Sequence, residues 1–194
     1  MADPENTLAD WNNAMVKRYH SGGTRFERGF LLKKIKNVAE LVGTDISKTA
    51  LNRAKEILTS RPEIKLVKAD AQRIPISDDY FDVILCSEML EHVPYPKIVL
   101  KEFYRILKNN GSFVISIPNE KKIQRLLNLS RKLGFSRAIE GVSTTRNDKN
   151  EWHLQEASNR WLNEIVKDLF TIKKIEIYPK FLNLRIIALL KKNI

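Results

Sequence analysis

From Ala39 onward the apolar and polar positions switch repeatedly between two periods. Short apolar runs of strand length lie at Glu40–Thr44, Ile64–Lys68, Phe81–Cys86 and Ser112–Ile117. The segments between them carry apolar residues at helical spacing. The first run ends at Asp45, and Ser47 is placed to cap a helix through Leu51, Ala54 and Leu58. Pro62 stops that helix, and the second run ends at Asp70. FDVILC at Phe81–Cys86 is almost wholly apolar, as expected of a strand covered on both faces. Pro94 and Pro96 open a helix over Lys97–Leu107, which Asn109-Asn110-Gly111 is expected to end before the strand Ser112–Ile117.

The remainder predicts a basic amphipathic helix over Glu120–Gly134 and a polar loop over Ser136–Asn150. Ser158 caps a helix through Phe170, with Trp161 as a core residue. Two strands close the chain near Ile172–Tyr178 and Leu184–Leu190, with Pro179 and Asn183 at the turn between them. Repeated strand–helix units predict an α/β fold with an open, mostly parallel sheet and helices on both faces. The short final turn makes the closing strand pair antiparallel. At 194 residues the chain is expected to form one domain, 1–194, with residues 1–28 as an N-terminal cap and 121–150 as an insertion.

Composition narrows the class. A single cysteine, Cys86, excludes a disulfide framework and a paired-cysteine zinc site, and it reads as a small buried residue. The opening MADPENTLAD has no basic and apolar signal pattern, and no apolar run approaches membrane-spanning length. The expectation is a cytoplasmic protein without a membrane span. Net charge is +11, which favours anionic partners. Lys121–Lys149 carries 8 basic and 2 acidic residues, so one stretch holds over half the excess. That stretch suits either a solvated helix face or contact with an anionic substrate.

Function in open α/β sheets gathers at the carboxyl ends of the strands. Those ends carry Asp45, Asp70-Ala71, Cys86-Ser87-Glu88 and Pro118-Asn119. A carboxylate at one strand end can accept both hydroxyls of a ribose, and one at the next can accept from an adenine amino group. Either aspartate alone also suits an ordinary turn.

The combination VGTDIS, KADAQRIPISDDYFDVILCSEMLEHV and LKEFYRILKNNGSFVISIPNE strongly resembles the class I S-adenosylmethionine-dependent methyltransferases, in particular their type 11 group. The resemblance covers about Ala39–Glu120, and WHLQEAS is similar to the family's lead-in to its last helix. It implies a Rossmann-like fold, S-adenosyl-L-methionine as cofactor, and methyl transfer as the reaction. It assigns Asp45 to the ribose hydroxyls, Ile46 to the adenine face, Asp70 and the Ala71 N–H to the adenine edge, and Cys86 and Ser87 to the methionine end. His92, flanked by Glu88 and Glu91, and His153 are candidate catalytic or substrate contacts. Tyr19 and His20 are candidate lid residues, and Trp11 reads as core. No metal cluster is apparent. The acceptor is expected to be a small molecule. The basic stretch keeps open a tRNA or rRNA substrate.

One family feature is missing. The resemblance calls for a first strand and a glycine-rich loop roughly 20 residues before VGTDIS, where backbone N–H groups approach the cofactor. Here that region reads TRFERGFLLKKIKNVAEL, in which only Gly29 matches the end of the loop. The family's first strand is central, so its loss leaves two inner edges without a partner. Three arrangements fit the sequence: a stretch of the family's chain is lacking, another segment or direct pairing closes the gap, or the chain is a cofactor-free relative serving as a binding or scaffold module.

Overall fold

The computed structural model describes residues 39–133, 154–178 and 184–193. The chain divides into two compact units, Met1–Ser77 and Asp78–Ile194. The expected cap 1–28, the loop 136–150 and the turn at Pro179 and Asn183 lie outside the described residues.

In the first unit, β1 (Val42–Asp45) pairs in parallel with β2 (Lys65–Lys68), from Val42 opposite Lys65 to Asp45 opposite Lys68. The ladder runs one bond further, the Ala69 N–H donating to the Asp45 carbonyl at 3.1 Å. Helix α1 (Lys48–Ile57) connects the two strands, with Ser47 Oγ accepting from the Ala50 N–H at 3.2 Å as the sequence predicts. Leu58, Ile64 and Ile74 are buried in this unit.

The second unit is a four-stranded sheet. Its strands are β3 (Phe81–Ser87), β4 (Leu107–Pro118), β5 (Phe170–Tyr178) and β6 (Arg185–Lys192), in spatial order β3-β4-β6-β5. β3 and β4 are parallel, whereas β6 runs antiparallel to both β4 and β5. The α/β class, the parallel pairs and the closing antiparallel pair follow the sequence reading. Helix α2 (Pro96–Ile106) has proline in its first turn, where the missing N–H costs nothing. Val99, Leu100, Phe103 and Ile106 form its buried stripe. Phe113 of β4 meets the Phe103 ring edge-on at 5.4 Å and the Phe170 ring at 5.2 Å. Helix α3 (Glu120–Lys132) follows β4, and α4 (Asn159–Val166) begins at Ser158, whose Oγ accepts from the Trp161 N–H at 3.2 Å. Arg105 of α2 donates to Glu102 and Asp78, and these bonds, Glu102 first, raise its pKa further above the usual guanidinium range.

Two elements differ from expectation. Asn109-Asn110-Gly111 does not separate helix from strand: β4 already begins at Leu107, one residue after α2 ends. Between the pairs Phe81–Leu107 and Val83–Ser112 the register shifts, and the three residues bulge out of the ladder. The Asn110 carbonyl there accepts from Lys191 Nζ at 3.0 Å. Helix α4 ends at Val166 rather than Phe170, because Phe170 starts β5 and is buried in its ladder.

The strands form two separate sheets. Among the described residues no strand pairs with the second edge of β1 or with the outer edge of β3. The first strand that the sequence reading finds missing falls in residues 1–38, outside the described residues. Asp79 and Glu88, on either side of β3, both have φ of 49°, the left-handed region unusual for residues with a Cβ.

Candidate functional site

The first unit brings four of the expected residues to one strand end. Asp45 closes β1, and Asp70 lies two residues beyond Lys68, its partner in register. Asp45 Oδ1 accepts from the Ser47 N–H and Asp70 Oδ1 from the Gln72 N–H, each at 2.9 Å. Both carboxylates therefore shape the turn that follows them. Neither is buried. Ile46, next to Asp45, is 65% exposed, an apolar side chain presented to solvent at the strand end. The Ala71 N–H donates to no protein acceptor among the described residues. The local set is thus two carboxylates, one exposed apolar face and one open backbone donor.

The second unit gathers polar groups at the carboxyl ends of β3 and β4. Cys86 is a buried thiol within β3, in no disulfide, and Ser87 is half-buried. The Ser116 hydroxyl donates to Ser87 Oγ at 3.2 Å, tying the two strand ends together. The Glu88 N–H donates to the Ser116 carbonyl at 3.0 Å, and Arg185 donates to Glu88 Oε2 at 3.1 Å. Glu91 lies in a 3-10 turn, Leu90–His92, with its side chain fully buried. Its carbonyl accepts from the Leu154 and Gln155 N–H groups. His92 is partly exposed, its Nε2 3.8 Å from Glu91 Oε1. Gly29, His153, Tyr19, His20 and Trp11 lie outside the described residues. Sequence reasoning missed Arg185 and Ser116. A lone arginine opening the apolar run RIIALL is the signal that points to the first.

Residues 25–115 match the family model described as a methyltransferase domain. Over that stretch, just under half of the chain, the sequence is similar to this methyltransferase family. A demethylmenaquinone methyltransferase of Staphylococcus aureus (strain MRSA252) is 36% identical over 84 residues, 43% of this chain and 35% of that relative. The chain thus matches about a third of the length of the curated relatives. Among solved structures, a SAM-dependent methyltransferase from Aquifex aeolicus is similar at a TM-score of 0.59 and 13% identity, covering 98% of each chain. The PH0226 protein from Pyrococcus horikoshii OT3 is similar at a TM-score of 0.59 and 20% identity, over 79% of this chain and 72% of that one. At these identities the structures speak for the fold.

The cofactor of a class I methyltransferase domain is S-adenosylmethionine. The first unit's donor set fits its adenosine end: acceptors for hydroxyl and amino groups, an apolar face for a ring, and a backbone donor. No glycine-rich cradle is among the described residues. Their two glycines, Gly43 and Gly111, lie inside β1 and β4. Among the described residues no group of three or more His, Cys, Asp or Glu could hold a metal ion, and no helix is long and apolar enough to cross a membrane.

Proposed function

We propose that the chain binds S-adenosylmethionine through Asp45, Ile46, Asp70 and Ala71 and supports methyl transfer to a small-molecule acceptor. The observation that carries this reading is the parallel pairing of β1 with β2. It sets two carboxylates at adjacent strand ends beside an exposed isoleucine. When bound, the cofactor supplies a methyl group on a cationic sulfur, open to in-line displacement by a nucleophile. The chain's own task is to hold and orient the reactants, which can itself lower the barrier by several kcal/mol (roughly 7–11 in well-oriented cases). Asp45 accepts the ribose hydroxyls, Ile46 covers one face of the adenine, and Asp70 with the Ala71 N–H reads its edge. His92, beside Glu91, is the described candidate for taking a proton from the acceptor. Cys86 and Ser87 keep the methionine-end assignment that the resemblance gives them. The similarity to demethylmenaquinone methyltransferases makes an acceptor of that kind the first to try.

Calorimetry of the full chain with S-adenosylmethionine and its demethylated product tests the reading. Saturable binding that weakens in Asp45→Ala supports it. No heat at high micromolar ligand overturns it and favours the non-catalytic module. A tRNA or rRNA acceptor rests on the +6 stretch 121–149. Filter binding at graded salt tests that alternative, because phosphate contacts weaken steeply as salt rises.

A further inference from the structure

Helix α3 has two unlike faces. Ile123, Leu126 and the buried Ser130 lie on the side toward the protein. A neighbouring stripe, about 100° round the helix, at i, i+3, i+7 and i+10/11, carries Lys122, Arg125, Leu129, Lys132 and, just past the helix end, Leu133. All five are exposed, Leu129 at 54% and Leu133 at 59%. Lys122, Arg125 and Lys132 make no ion pair with a carboxylate among the described residues. Two leucines set into a basic stripe present apolar surface to water. The helix also starts at the carboxyl end of β4. There the Asn119 N–H donates to the Leu184 carbonyl at 2.8 Å and the Glu120 N–H to the Ala157 carbonyl at 3.3 Å. Its first turn therefore lies at the end of the sheet where β4 stops and β6 begins.

We propose that this outer face of α3 docks the protein on an anionic lipid bilayer. The leucines enter the boundary between headgroups and acyl chains, while the three cations meet lipid phosphates. This charge complementarity also suits a nucleic acid. The leucines decide against it, because a nucleic acid surface rewards stacking aromatic rings and offers aliphatic side chains little. The inference does not depend on methyl transfer, since its readout is binding alone.

The test is co-sedimentation of the full chain with two sets of vesicles, phosphatidylcholine alone and phosphatidylcholine mixed with phosphatidylglycerol. Lys122→Gln/Arg125→Gln and Leu129→Gln/Leu133→Gln are compared with the parent, with circular dichroism to verify that each keeps its helix content. The parent should bind the mixed vesicles and not the neutral ones, less tightly as salt rises. The charge variant should bind about 25-fold more weakly, at about fivefold per basic residue. The leucine variant should lose about tenfold or more. No binding to the mixed vesicles overturns the proposal, as does binding that neither variant changes. Salt-sensitive capture of RNA by the parent, with the leucine variant unaffected on vesicles, assigns the face to nucleic acid instead.

Discussion

Arg185, the first residue of β6, reaches across the end of β4 to hold the Glu88 carboxylate at 3.1 Å. Glu88 follows β3 and has a left-handed backbone, so the arginine secures a turn its own residue disfavours. The other end of the same strand repeats the device. Lys192, the last residue of β6, donates to Asp79 Oδ1 at 2.8 Å, and Asp79, ahead of β3, is also left-handed. The two ends of β6 thus fasten the two strained residues that bracket β3, with β4 between the strands.

Arg185→Ala should destabilise the protein by roughly 1–3 kcal/mol, because it leaves a largely buried carboxylate without this donor. Glu88→Gly removes both the charge and the left-handed cost, so the loss in Arg185→Ala should shrink in the Glu88→Gly background. Urea unfolding of the four species of this double-mutant cycle checks it. Equal losses in both backgrounds would show the two residues to be energetically independent.

Lys192→Met keeps the stem and removes the ammonium, whose partners are Asp79, the Leu107 carbonyl at 2.8 Å and the Tyr104 ring at 4.5 Å. A loss of roughly 1–3 kcal/mol in urea unfolding is expected, chiefly from the stranded carbonyl, since Asp79 stays accessible to water.

Asp45→Asn separates the two jobs of that side chain. The amide retains an oxygen for the Ser47 N–H, so the turn and the unfolding midpoint should persist. It lacks the carboxylate charge, so cofactor affinity measured by calorimetry should fall by roughly 1–3 kcal/mol. Affinity equal to that of the parent would leave Asp45 as a turn former only.

Gly111→Ala should cost roughly 1–3 kcal/mol by thermal or urea unfolding. A Cβ there would stand 2.6 Å from Leu107 Cδ1 and 2.9 Å from the Lys108 carbonyl oxygen. The side chain could swing away, but the carbonyl belongs to the bulge. A parent-like midpoint would show that the bulge can relax.

Local chemistry made much of this fold readable. Ser47 and Ser158 cap the helices expected of them, because a serine ahead of an apolar stripe is decided within one turn. Asp45 and Asp70 stand at strand ends because apolar runs stop there. The bulge at Asn109-Asn110-Gly111 was legible as an irregularity but not as one inside a strand. That depends on pairing with β3 and on Lys191, 81 residues away. The Arg185–Glu88 bond joins residues 97 apart and has no local signature. The absence of an apolar run before Gly29 was visible in the sequence, and the segment it concerns lies outside the described residues.

β3 is in effect a rung of fixed length. Its Ile84 and Cys86 face the interior, and the anchored residues Asp79 and Glu88 stand at a set distance on either side. Inserting or deleting one residue between those anchors would turn the buried side chains outward and pull one anchor from its basic partner. The stretch can therefore exchange side chains freely in kind but not in number.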